Sequence, residues 1–216
     1  VRIWVTGDSG TFNSGARQVR DGFLKFSATK PAHLWLMLGD NAYEDATDAE
    51  YQQAVFGMYT QLLRSTPVYS TFGNHEGHSA SSSDESGPYY DIFSFPRNAQ
   101  AGGIASGTEA YYSFDYGDIH FITLDSYGSD DSEDGPMMSW LKADLAATDK
   151  DWLVAFWHHP PYSKGSHDSD LSSSQTAMRQ IAVRILENHG VDLLLSGHSH
   201  AYERSYLIDG HYGKSD

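Results

Sequence analysis

Five short segments of the chain set metal-binding side chains directly behind apolar, β-branched or aromatic runs. They are Gly7-Asp8-Ser9-Gly10, Gly39-Asp40-Asn41-Ala42-Tyr43, Gly73-Asn74-His75-Glu76, His158-His159-Pro160-Pro161 and Gly197-His198-Ser199-His200. Unbroken apolar runs of this kind read as buried strands. A strand that ends on such a segment aims its donors outward from one edge of a sheet. Five such ends in one chain require a fold in which several strand ends converge.

The expected strands are 2–6, 33–38, 68–72, 111–115, 119–124, 152–157 and 191–195. Residues 111–115 and 119–124 flank Tyr116-Gly117-Asp118, which reads as a hairpin turn. Helices are expected over 16–27, 48–64, 136–147 and 174–188. Thr47 and Glu50 have the spacing of a capping box, and Gly190 sits where a helix would end. Strands alternate with helices, so an α/β layered fold is expected, mostly parallel with one antiparallel hairpin. The polar, small-residue stretches 79–87 and 163–174 follow two of the donor segments and read as surface loops able to rim a site. No repeat or internal boundary is visible, so residues 1–216 are expected to form one domain.

Charge restricts the partners. Lys plus Arg number 14 against 29 Asp plus Glu, for a formal net charge of −15. Such a chain repels nucleic acid and anionic membranes at long range. No apolar run approaches the ~20 residues of a membrane span. Neither nucleic acid nor membrane is therefore an expected partner. A phosphate-bearing ligand would need a local positive charge, and with basic residues scattered, bound cations are the natural source. Cysteine is absent, which excludes disulfides and thiolate metal sites. The acidic run 130–134 before Gly135 resembles the start of a calcium loop, but Leu141 stands where a bidentate Glu is needed. It reads as a solvated turn.

Seven donors stand out: Asp8, Asp40, Tyr43, Asn74, His158, His198 and His200. Hard oxygen with imidazole nitrogen suits Zn²⁺, Mn²⁺ or iron. Seven exceed one tetrahedral ion, but a bridging carboxylate turns them into two sets of four. Two adjacent cations can activate water and clamp a phosphoryl group. His33, His120, His189 and His211 lie outside the pattern and read as ordinary surface or core histidines.

The five segments, in this order, resemble the signature blocks of the dinuclear, calcineurin-like metallophosphoesterases. Gly39-Asp40-x-x-Tyr43, and the tail Ala201-Tyr202-Glu203-Arg204 behind the last block, resemble the purple acid phosphatases in particular. The resemblance runs from residue 7 to residue 204. It implies a metallophosphoesterase-type layered β-sandwich flanked by helices. It implies that Asp8, Tyr43 and His200 hold a ferric ion. Asn74, His158 and His198 would hold a divalent Zn²⁺, Fe²⁺ or Mn²⁺, with Asp40 bridging. It further implies hydrolysis of small phosphate monoesters by a metal-bound or metal-bridging hydroxide. His75 would contact the phosphate and protonate the leaving oxygen. His167 lies where similar proteins carry substrate-side histidines, although its local sequence departs from theirs. His159 would orient ligands or substrate. Family members usually continue with further strands, so the second sheet is expected to be incomplete within these residues. An extracellular or periplasmic location is also implied, with no secretion-signal pattern before the strand-like run 1–6.

Rival readings have specific weaknesses. Gly197-His198-Ser199-His200-Ala201 imitates a serine-hydrolase elbow, which leaves only Asp209 and His211 as cramped partners. Gly7-Asp8-Ser9 imitates an early lipase block, but no late Asp-x-x-His follows. A phosphodiesterase or nucleotidase on the same fold stays open, as does a non-catalytic phosphate- or metal-binding module.

Overall fold

A computed structural model describes residues 1–215. Two sheets face each other. The first holds β1 (Ile3–Thr6), β2 (Leu34–Met37) and β3 (Val68–Ser70), all parallel, in the order β1-β2-β3. The second holds β4 (Tyr112–Tyr116), β5 (Ile119–Thr123), β6 (Trp152–Trp157) and β7 (Leu193–Ser196), in that order. β4 and β5 form the expected hairpin, with Tyr116 opposite Ile119, and the other pairs are parallel. Gly117 takes φ 62°, which the tight turn requires.

Side-chain alternation on β5 and β6 divides the core. Phe121, Val154 and Phe156 join Leu36, Tyr112 and Phe114 in the buried layer shared with the first sheet. Tyr69 of that sheet stacks on Phe114 with ring centroids 3.5 Å apart. Ile122, Leu153, Ala155 and Trp157 point the other way, against helical residues such as Leu141, Met178 and Ile185. This period of two buries β5 and β6, the central strands of the second sheet, on both faces.

The helices are α1 (Ser14–Ser27), α2 (Asp48–Tyr51), α3 (Thr60–Leu63), α4 (Pro88–Ile92), α5 (Pro136–Ala147), α6 (Ser173–Ala177) and α7 (Arg184–Asn188). Phe23 of α1 stacks on Trp4 at 4.1 Å and so covers the first sheet from outside. The expected helices 48–64 and 174–188 are each broken by a π-type stretch, Gln52–Gly57 and Met178–Val183. The capping box is present: Thr47 accepts from the Glu50 amide, and Glu50 accepts from the Thr47 amide at 2.8 Å. Gly190 follows α7 at φ 73°. The acidic run forms a turn in which Asp130 accepts from the Ser132 amide. Among the described residues, no helix is long and apolar enough to cross a membrane.

Parallel strands all end on one side. β1, β2, β3, β6 and β7 therefore deliver their five donor segments to one edge of the sandwich. That is the edge where open α/β sheets bind ligands. β5 ends there too, and delivers Asp125-Ser126-Tyr127, a sixth segment that the sequence pattern does not reveal.

Candidate metal centre

Two groups of donors form at this edge. Tyr43 Oη lies 3.4 Å from Asp8 Oδ1, 3.3 Å from Asp40 Oδ2 and 3.1 Å from His200 Nε2. His200 Nε2 lies 3.4 Å from Asp8 Oδ1. In the second group, His158 Nε2 lies 3.1 Å from Asn74 Oδ1, 3.2 Å from His198 Nδ1 and 3.4 Å from Asp40 Oδ2. All seven donors named from the sequence are thus brought together, and the Asp40 Oδ2 atom belongs to both groups.

These spacings suit cations. Ligand atoms ~2.0–2.1 Å from one zinc lie about 3.4 Å apart in a tetrahedron, and nearer when more ligands crowd the ion. The orientation of His158 suits it as well. Its Nδ1 donates to the Leu38 carbonyl at 2.7 Å, which leaves Nε2 as the nitrogen facing the other donors, where a cation would replace its proton. The donor chemistry of both groups therefore fits two hard or borderline ions.

Backbone geometry is locally strained. Asp8, Asp40, His198 and His200 have φ of 54°, 54°, 69° and 49°. Left-handed conformation costs a non-glycine residue ~1–3 kcal/mol, and such strain gathers at functional sites. It is held by contacts around it. Asp8 accepts twice from the His198 amide, at 3.0 and 2.8 Å, which locks the end of β1 to the end of β7. Asp40 Oδ1 accepts from the His75 amide at 3.0 Å, which locks β2 to β3. Gly73 is required for close approach, since a Cβ there would run into the Asp40 carboxylate and Glu76.

The protein's own groups set unusual titrations. Burial pushes Asp8 up, with the Asp40 charge adding to it. Burial pushes Asp40 up too, but the hydrogen bond and charge of His158 overcome this and hold it at about 2. Burial works against a charged His158, yet Asp40 raises it to about 9. Burial and the charges of His158 and His167 lower His198 to about 3. Burial, then the Asp8 and Asp40 charges, push the Tyr43 phenol well above its usual range. A phenolate at Tyr43 would need a cation among these carboxylates, so the acid pair and the phenol point to the same requirement.

The three other candidate histidines surround this centre. His75 Nε2 is 3.8 Å from Asp40 Oδ2, while its Nδ1 meets the Glu44 carbonyl at 2.5 Å. Its ring meets Tyr43 edge-on at 4.5 Å. His167 stacks on His198 at 4.1 Å. The loop that carries it is tied to the last block: Ser163 Oγ donates to Glu203 Oε2 at 2.6 Å, and Ser166 Oγ donates to the Ser199 carbonyl at 2.7 Å. His159 is buried 4.4 Å from the His198 ring, with Nδ1 2.9 Å from Ser126 Oγ. Burial and the neighbouring His158 charge hold it neutral, at about 2.

The sequence pattern gives no role to Glu76, Ser126 or Glu203, although Glu76 and Ser126 contact donor segments and Glu203 holds the loop that carries His167. A hint lay in Glu76 itself, a charged residue directly behind a donor pair at the end of a strand. His33, His189 and His211 stay outside the centre, as expected. His33 pairs with Arg2, His189 bonds the Ile185 carbonyl and His211 bonds the Lys214 carbonyl. His120 is buried between two carboxylates at the opposite end of β5.

Comparison with known proteins agrees with this architecture. The family profile of the calcineurin-like phosphoesterases matches residues 1–202. Purple acid phosphatase 15 of Arabidopsis thaliana is 36% identical over 158 residues, covering 71% of this chain and 28% of that protein. The chain spans less than half the length of the curated relatives it matches. A purple acid phosphatase from seeds of yellow lupin (Lupinus luteus) shares the fold, with a TM-score of 0.65 at 16% identity over 91% of this chain and 37% of that one. A dimetal phosphatase from Danio rerio does so at TM-score 0.60 and 16% identity, over 92% of this chain and 81% of that one. The chain belongs to the calcineurin-like phosphoesterase family.

Proposed function

We propose that this chain hydrolyses small phosphate monoesters at a dinuclear metal centre. The observation that carries the reading is the pair of donor groups meeting at Asp40 Oδ2, each with spacings of 3.1–3.4 Å. Asp8, Tyr43 and His200 would hold one ion, Asn74, His158 and His198 the other, with Asp40 shared. A ferric ion suits the phenol-bearing group and a divalent Zn²⁺, Fe²⁺ or Mn²⁺ the other. The bound pair would supply charge for the phosphoryl oxygens and acidify water. Residues 1–216 would act as one catalytic domain on a small ester, in an extracellular or periplasmic setting.

The chain's own groups do the rest. The Glu44 carbonyl accepts from His75 Nδ1, which fixes the ring beside the centre with Nε2 toward Asp40. From there His75 would donate a proton to the departing oxygen. His167, held above His198, would face the phosphate from the other wall. His159, held neutral against Ser126, would orient the donors beside it.

The test is direct. Protein reconstituted with iron and zinc or manganese should hold two ions per chain and release nitrophenol from p-nitrophenyl phosphate. Faster turnover of bis(p-nitrophenyl) phosphate would shift the reading to a phosphodiesterase. Phosphate binding with no turnover of either ester would make the chain a binding module. Fewer than one ion per chain would sink the proposal.

Two outcomes sharpen it. His75→Ala should lower kcat ~10²–10⁴-fold, the usual contribution of a general acid, with both ions retained in metal analysis. If Tyr43 binds ferric iron, the protein should show a visible charge-transfer band that Tyr43→Phe removes. An active, colourless zinc- or manganese-loaded enzyme would refute the ferric assignment alone.

A further inference from the structure

Glu76 is wholly buried, and nothing in the reaction proposed above uses it. Its carboxylate is nevertheless crowded with donors. Oε2 accepts from the amides of Asp40 and Gly73, each at 2.9 Å. Oε1 accepts from the Asn41 amide at 2.8 Å, from Asn41 Nδ2 at 3.0 Å and from Tyr51 Oη at 3.1 Å. A carboxylate offers about four lone-pair sites, so this one is saturated. Its partners come from separate parts of the fold. Asp40 and Asn41 follow β2, Gly73 follows β3, and Tyr51 ends α2. No other described side chain accepts from the backbone of both the β2 and the β3 donor segments.

We propose that Glu76 is the positioning residue of the centre, fixing the shared Asp40 carboxylate relative to Asn74 and so setting whether the two donor groups can share an ion pair. This role rests on the dinuclear reading above. Asp40 and its left-handed backbone need an outside hold, because φ 54° costs about 1–2 kcal/mol even at an aspartate, which tolerates it better than most residues. Glu76 supplies it through the Asp40 amide, while the neighbouring His75 amide returns to Asp40 Oδ1. The two contacts close a loop: the residue that holds Asp40 sits two positions after Asn74. Displacement of one segment is therefore passed directly to the other.

A glutamine has the same shape but the wrong chemistry. It keeps one oxygen and turns the other into an NH₂ donor. Whichever way it sits, that NH₂ faces N–H groups that then lack an acceptor. Glu76→Gln in the otherwise intact chain is thus the discriminating variant, with two readouts. In isothermal titration with Zn²⁺ or Mn²⁺, affinity should fall ~10–100-fold, the loss seen when partners behind metal ligands are removed. In metal-free protein, hydrogen exchange at the Asp40, Asn41 and Gly73 amides should quicken about tenfold or more, the effect of losing one buried hydrogen bond. Amides of β5 and β6 should be unchanged, which a general loss of stability would not allow.

Wild-type affinity for two ions in Glu76→Gln, or unchanged exchange at those three amides, overturns the proposal. Should Glu76→Gln fail to fold, Glu76→Asp gives the same readouts. It keeps the charge but withdraws it by one methylene, and should show the same losses at the same amides. A wild-type chain that binds no metal would overturn the dinuclear reading, while the exchange measurement would still decide the role of Glu76.

Discussion

Asp40→Asn should lose both metal ions at once, from two per chain to fewer than one after gel filtration, with hydrolysis of p-nitrophenyl phosphate lost in proportion. The size follows from sharing. Asp40 Oδ2 lies 3.3 Å from Tyr43 Oη in one group and 3.4 Å from His158 Nε2 in the other. An amide cannot bridge two cations as a carboxylate can, and it removes one of the few negative charges that balance them. Affinity at both positions should drop by at least the ~10–100-fold found for residues one step removed from a metal. Fold should survive, because the asparagine oxygen can still accept from the His75 amide where Asp40 Oδ1 does now. His200→Ala is the control, since it touches only the Asp8 and Tyr43 group and should release one ion. Two ions retained by Asp40→Asn, measured by elemental analysis on folded protein, would refute the shared-ligand assignment.

Asp40 also illustrates what the sequence makes legible. A buried apolar run followed by a donor, in four cases through a glycine, is a one-dimensional signal, and five such signals at parallel strand ends share an edge. The donors could therefore be named without coordinates. Several supporting parts could not. Asp125-Ser126-Tyr127 follows β5 at the same edge but has no glycine and no imidazole. Its Ser126 contact to His159 appears only in three dimensions. The left-handed backbone of Asp8, Asp40 and His198 is held by hydrogen bonds to other segments, which no local sequence pattern announces. Glu76 looks polar in the sequence and is buried in the structure, since four of its five donors come from outside its own segment. The π-type breaks in two helices were invisible for a related reason. Hydrophobic periodicity registers which face is buried, and a shift to wider backbone pairing over a few residues hardly changes that face.

A second buried carboxylate system lies at the far end of β5, and its disruption should be costly. His120 is fully buried, with Nδ1 2.7 Å from Asp115 Oδ1 and Nε2 2.8 Å from Asp144 Oδ2. Asp144 also accepts from Ser113 Oγ at 2.9 Å and the Ile104 amide at 2.7 Å, and it too is fully buried. Burial alone would lower the His120 pKa, but the hydrogen bonds and charges of Asp144 and Asp115 outweigh it and raise the pKa above the ordinary 6.5. The imidazolium is thus the form that the fold favours. His120→Leu strands the Asp144 charge in the core, a loss that typically costs ~3–5 kcal/mol when one member of a buried pair is removed. For a chain of this length the thermal midpoint should fall by roughly 6–20 °C. The sign with pH is fixed by the raised pKa. Stabilisation by the imidazolium is complete below the unfolded value of ~6.5 and is lost as pH rises through the higher folded value. The gap between wild type and His120→Leu should therefore be widest in mild acid and narrow towards alkaline pH. Adding Asp144→Asn to His120→Leu removes the stranded charge while keeping an acceptor for Ser113 and Ile104, and should recover a large part of the loss. Folded His120→Leu should still take up two metal ions, because the residue sits at the opposite end of the strand from the donors. A gap that widens with pH, or a double variant no more stable than the single one, would show that His120 acts by packing and not by charge.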